Sequence, residues 1–124
     1  MRKPAKNLLM AVSVATLLGA IGLASTAPVA AQDASVIAEG KKIAFDRVKG
    51  NCLACHMMDE GSLPGDIGPP LIAMKARFPD KSALRAQIYD ARVKNPRTIM
   101  PPFGPHAILS DEEIDKITEF VWSL

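Results

Sequence analysis

One pentapeptide constrains this chain more than any other stretch: Cys52-Leu53-Ala54-Cys55-His56. Two thiols three positions apart lie on one face of a helical turn, where both can bond the two vinyl-derived carbons along one edge of a porphyrin. The histidine that follows can then swing beneath the ring and offer an imidazole nitrogen to the iron. A Cys-x-x-Cys-His run is accordingly the attachment signal of a c-type haem. Cys-x-x-Cys pairs also serve thioredoxin-like redox centres and half of many zinc sites. A zinc site needs two further ligands, and the chain holds 2 Cys and 2 His in all, so His106 alone could add to the set. A thioredoxin-like motif should follow a strand in a βαβ pattern, and none is visible. The run is therefore read as the site of one covalently attached haem c, with Cys52 and Cys55 as thioether donors and His56 as an iron ligand.

The N-terminal stretch reads as an export signal, residues 1–31. Arg2, Lys3 and Lys6 precede an uncharged apolar run from Leu8 to Leu23, and Val29-Ala30-Ala31 fits cleavage before Gln32. The apolar run is shorter than the ~20 residues of a membrane span, so no span is expected in the mature chain. Such a signal suits the motif, since haem c is attached outside the cytoplasm in bacteria; the expected location is the periplasm. Removing 31 of the 124 residues leaves 93, room for one domain over residues 32–124. Taking Arg2, Lys3 and Lys6 from the 15 Lys and Arg leaves 12 against 13 Asp and Glu, a net charge near −1. Nucleic-acid binding has no electrostatic footprint here. A domain this small draws thin stability from an apolar core alone, so a covalently held haem would supply much of it.

Within the domain the periodicity is helical. From Ser35 to Lys49, residues Val36, Gly40, Ile43 and Ala44 share a face; Asp33 or Ser35 can cap the start and Gly50 ends it. Gly40 inside this helix suggests close approach by another. Residues 57–70 are dense in glycine and proline and read as loop. A short helix is expected over Leu71 to Phe78. Another is expected from an Asp80 cap to about Lys94, with Leu84, Ile88 and Ala91 as its buried stripe, stopped at Asn95-Pro96. A second loop runs to Ile108. Ser110-Asp111-Glu112-Glu113 is a capping box for a last helix that turns Ile114, Ile117, Val121 and Leu124 inward. The segment from Lys75 to Arg97 carries seven cations, including Lys81, Arg85, Arg92 and Lys94, against Asp80 and Asp90, and is expected to contribute a basic docking surface.

The iron's second ligand must come from Met57, Met58, Met74, Met100 or His106. Met57 and Met58 follow His56 too closely to reach the other side of the ring. Met74 sits at core-like helical spacing. Met100 precedes Pro101 and Pro102, which fix its backbone, and is the preferred candidate; His106 and Met74 stay as alternatives. His/Met ligation raises the reduction potential and suits electron transfer.

Helix, haem motif, loop, helices, Met loop, helix: this order over residues 35–124 resembles class I cytochrome c. The resemblance implies an all-α fold of three to four helices around one haem, with the first and last helices crossing through Gly40 and Phe120 or Trp122. It also places a Met ligand before the last helix, where Met100 falls. Gly68-Pro69-Pro70-Leu71 resembles the family's Gly-Pro-x-Leu, in which the Pro carbonyl accepts the imidazole N–H; carried over, Pro69 is that acceptor and Leu71 packs on the haem.

Four longer runs narrow the resemblance: Lys49 to His56, Pro64 to Leu71, Leu84 to Ala91 and Asn95 to Gly104. Together they are similar to the SoxX family, the mono-haem c-type subunits of the SoxAX sulfur-oxidation cytochromes. That resemblance implies a heterodimer with a SoxA-like cytochrome subunit. Its activity is L-cysteine S-thiosulfotransferase, joining thiosulfate to a cysteine of a SoxYZ-like carrier protein. Catalysis is then expected on the partner, and this chain, with no catalytic residue of its own, passes electrons to a downstream cytochrome c. The residues alone point only to an exported haem c electron carrier, and a free periplasmic mono-haem cytochrome c of respiration is the alternative.

Overall fold

The computed structural model describes residues 29–124, and every regular element among them is helical. Four helices occur in order: α1 Val29–Phe45, α2 Met74–Arg77, α3 Lys81–Tyr89 and α4 Asp111–Trp122. Single 3-10 turns stand at Cys52–Ala54 and Ala91–Val93. The expected export signal lies outside the described residues, save its last three backbone positions, which belong to α1. No helix among the described residues is long and apolar enough to cross a membrane.

The ends of α1 differ from expectation. Asp33 and Ser35 do not cap it but lie inside it, because the preceding alanine-rich stretch has high helix propensity and carries the helix backwards. Nor does it reach Lys49. The Asp46 carboxylate accepts from the Val48 amide at 2.9 Å, and the Gly50 amide returns to the Ile43 carbonyl at 3.2 Å, so the chain closes into turns after Phe45. Side chain competes with helix here, as short acids do.

Helices α1 and α4 make the main contact of the fold. Gly40 sits at their crossing: a Cβ there would stand 2.0 Å from the Lys116 carbonyl oxygen of α4. The expected close approach is thus real. Of the aromatics, Phe120 meets Phe45 edge-on at 5.9 Å, a favourable T-shaped geometry. Trp122 takes another part, donating its indole N–H to the Phe78 carbonyl at 3.1 Å, with Lys75 and Lys81 over its ring. A methyl at position 40 meets backbone, which cannot turn aside. Gly40→Ala is expected to cost at least about 2 kcal/mol in spite of its helix-propensity gain of up to ~1 kcal/mol, read as a lower denaturant midpoint.

Helix α4 is capped as the sequence predicts: the Ser110 hydroxyl accepts from the Glu113 amide and the Glu113 carboxylate accepts from the Ser110 amide. Ile114, Ile117, Phe120 and Val121 are buried; Leu124 is half-buried. Helix α3 begins at its Asp80 cap, whose carboxylate accepts from the Ser82 amide at 2.8 Å, but ends at Tyr89, short of Lys94. Asp90 turns extended and caps the following 3-10 turn through the Arg92 amide, which still buries Ala91.

The basic segment is less free than expected. Lys81 pairs with Glu119, Arg85 with Asp111 and Asp115, and Arg92 with Asp90. Asp111, Asp115 and Glu119 of α4 face Arg85 and Lys81 of α3, so these pairs fasten one helix to the other, while Arg92 is tied within its own turn. Exposed pairs of this kind add little to stability and are screened by salt.

Candidate functional site

The haem motif is built as one tight turn. Gly50 is buried, and Asn51 takes a left-handed conformation (φ 47°), which asparagine tolerates better than most residues. The chain then enters the 3-10 turn Cys52–Ala54, where the amides of Cys55 and His56 both donate to the Cys52 carbonyl, at 3.2 and 2.9 Å. Both thiols and the histidine therefore belong to a single turn.

A second segment clasps that turn. The amides of Gly65, Gly68 and Leu71 donate to the carbonyls of Leu53, Cys55 and Met57 at 2.8, 2.7 and 2.8 Å. Two stretches run side by side in the same direction, so the breaker-rich loop is held at every third residue from Gly65 to Leu71. The helix expected from Leu71 begins only at Met74 because Ala73 is left-handed (φ 50°), a conformation that a right-handed helix cannot include. Gly68 is required by close approach, since a Cβ there would stand 2.4 Å from His56 Cε1.

The clasp brings Pro69 to the imidazole. The Pro69 carbonyl lies 2.8 Å from His56 Nδ1. A carbonyl can only accept, so Nδ1 carries the proton and Nε2 keeps its lone pair for a metal.

These residues face one cavity of about 730 Å³, within the range that takes a single cofactor-sized ligand. Cys52, Cys55, His56, Pro69, Leu71 and Met100 all line it. Met100 is half-buried and its amide is held by the Thr98 hydroxyl at 3.2 Å. Met74 also reaches the cavity wall and is 1% exposed. Its sulfur accepts from Arg77 Nη1 at 3.4 Å, and the same nitrogen donates to the Pro70 carbonyl at 2.7 Å. Met74 is thereby tied to the carbonyl next to the one that holds His56. His106 is exposed and does not line the cavity, so it joins neither the cysteine pair nor His56. Met57 is exposed and Met58 lies in the core outside the cavity.

Two properties of the lining fit a haem. Its deep wall is apolar, with Leu84, Ile88, Ile117 and Val121. Its polar part includes Arg47 and Arg97, beside Lys49, which pairs with Glu113, and Arg77, which bonds the Pro70 carbonyl, and no carboxylate; the first two suit a macrocycle bearing two acidic side chains. Burial pushes the Cys52 thiol up to about 11, so it is a neutral thiol at physiological pH and unlike the thiolate of a disulfide oxidoreductase. The sequence points to Leu71 on the haem and to Leu84, Ile88, Ile117 and Val121 as buried, but not to Phe103 and Leu109, which complete the apolar wall. Both sit in a loop where no periodicity marks buried positions. Arg77 was visible only as one cation in a basic run.

A helical fold closed by the α1–α4 crossing around such a cavity is that of a class I cytochrome c. The chain belongs to the cytochrome family whose model is described as cytochrome c oxidase, cbb3-type, subunit III, matched over residues 37–121. It is SoxX-like within that class: its fold is similar to the crystal structure of SoxXA from P. pantotrophus, with a TM-score of 0.62 and 26% identity over 69% of this chain and 79% of that one. It is also 35% identical over 74 residues to an uncharacterized lipoprotein of Aquifex aeolicus (strain VF5), a match covering 59% of this chain. The matched part is 36% of that relative's length, so the relative is a much longer protein. A haem c cofactor and a role in electron transfer follow from the family.

Proposed function

We propose that this chain is the mono-haem, electron-carrying subunit of a SoxAX-type complex in the periplasm, exported by its N-terminal signal. The observation that carries the haem reading is the convergence of both thiols, His56 and Met100 on one cavity, with His56 Nδ1 already engaged by Pro69. Cys52 and Cys55 would hold the single haem covalently, and His56 Nε2 and the Met100 thioether would be the chain's ligands to its iron. Pro69 fixes the imidazole's tautomer and orientation and raises its basicity. Leu71 and the apolar wall exclude water. When bound, the haem supplies a one-electron ferric/ferrous couple whose potential these ligands set. Met74 is disfavoured as a ligand because its sulfur is held on the His56 side, and His106 because it points to solvent.

Likeness to SoxXA supports a SoxA-like partner subunit. In that complex the partner performs the L-cysteine S-thiosulfotransferase step on a SoxYZ-like carrier, and this chain drains the electrons to a downstream cytochrome c. The family match to an oxidase subunit favours a second reading, a mono-haem cytochrome c serving respiration. Co-purification of the tagged chain from its native periplasm separates the two. A one-to-one complex with a second, SoxA-like cytochrome is the expected result; recovery of the haem-loaded chain with oxidase subunits instead would overturn the first reading.

A further inference from the structure

We infer that Arg77 is the positioning residue for the axial histidine: it holds the Pro69–Pro70 turn so that the Pro69 carbonyl stays on His56. The inference rests on the reading of His56 as an iron ligand and adds to it the residue that keeps the ligand aligned.

Two consecutive carbonyls have two different donors. Pro69 accepts from His56 Nδ1 at 2.8 Å, and Pro70 accepts from Arg77 Nη1 at 2.7 Å. Neither proline has an N–H, so this dipeptide cannot anchor itself by donating. The flanking amides of Gly68 and Leu71 pin its two ends to Cys55 and Met57. Between those pins, the tilt of the two carbonyls depends on what donates to them. Without Arg77, only the His56 bond would set the carbonyl tilt between those pins, and that tilt is what is meant to hold His56.

The guanidinium is itself aimed. Helix α2 starts behind Ala73, which is left-handed (φ 50°), and the Met74 amide donates to the Leu124 carbonyl at 3.3 Å. This sends the Met74 side chain into the core, and position 77, three residues on, shares its face. Nη1 then touches Met74 Sδ and Pro70 O together. Arg85 and Arg92 of the same segment take carboxylates instead. Arg77 puts a charge-assisted bond, stronger than a neutral one, on a single backbone carbonyl beside the imidazole.

The test is solvent exchange of the His56 Nδ1 proton, followed by NMR in the ferrous, haem-loaded protein. Arg77→Met is expected to speed that exchange about tenfold, the effect of losing one bond to a charged donor, while α4 amides keep their rates. Arg77→Gln, shorter and uncharged, is expected to do the same and serves if the Met variant does not accumulate. Arg77→Lys, which keeps the charge and most of the reach, is expected to restore slow exchange. Unchanged Nδ1 exchange in the Met or Gln variant would overturn the inference. So would acceleration of the α4 amides by the same factor, since Arg77 would then be a general stabiliser. Failure of the ligand assignment looks different: in the unaltered protein the His56 ring protons would lack the ring-current shift of an imidazole set against a macrocycle.

Discussion

Replacing Met100 with alanine is expected to leave the iron without its second axial ligand. Carbon monoxide and imidazole should then bind, and the reduction potential should fall by on the order of 100 mV, a modest part of the roughly 0.8 V that axial ligands span. The direction follows from the thioether, which favours ferrous iron. The size follows from the lack of a substitute. Met74 lines the same cavity, but Arg77 holds its sulfur next to the Pro70 carbonyl. His106 is exposed on a turn outside the cavity, its amide bonded to the Pro102 carbonyl at 3.1 Å. Met100, by contrast, is half-buried in the wall and followed by two prolines that restrict its backbone. Absorption spectra and potentiometry of Met100→Ala, Met74→Ala and His106→Ala decide the matter. A Met100→Ala protein with unchanged spectrum and potential, beside a shifted Met74→Ala or His106→Ala protein, would reverse the assignment.

What was legible in the sequence was chemistry at short range. Cys52 to His56 announces its cofactor because the motif is one turn, and the Ser110–Glu113 box announces α4 because both its bonds are local. The Asp80 cap is legible for the same reason. The misreadings share the opposite property. Helix α3 was expected to continue to Lys94, yet the Gly104 amide comes to the Tyr89 carbonyl at 3.1 Å and Asp90 turns away to cap the next residues. The residues from Leu71 to Ala73 show a helical pattern, but Leu71 docks on Met57 and Ala73 turns left-handed, so the helix starts behind them. Arg85 and Arg92 look like a docking face until Asp111, Asp115 and Asp90 are placed beside them. In each case the deciding partner, or the angle at which it arrives, is set by the tertiary fold, which local pattern does not contain. Arg77 belongs with these: its position is plain in the sequence, but its bond to Pro70 depends on how the clasp runs.

The isolated, haem-loaded chain is expected to conjugate no thiosulfate to a carrier thiol, and to contribute to that reaction only when a SoxA-like partner is added. Joining thiosulfate to a thiol makes one sulfur–sulfur bond, releases one proton from the thiol and gives up two electrons. An enzyme doing this needs a free thiolate or a sulfur-binding metal with an open position. The chain has 2 cysteines, and in the proposed holoprotein both are thioethers. Even unmodified, Cys52 resists ionisation, its thiol being pushed up to about 11 by burial. With His56 and Met100 as the iron's ligands in that proposed holoprotein, no position would be left for substrate sulfur. His106 lies outside the cavity, and the Tyr89 ring is packed against Gly104 under the Arg85 guanidinium, so neither can serve as a nucleophile at the site. A single haem held by these residues would carry one electron at a time, which fits a conduit better than a catalytic centre. Carrier-bound thiosulfonate, measured by intact mass, should therefore be absent with this chain alone and present with the pair. Met100→Ala should slow the pair several-fold, because a lowered potential weakens the drain, without releasing the partner. Conjugation by the isolated chain at a rate comparable to the pair would place the chemistry on this subunit after all.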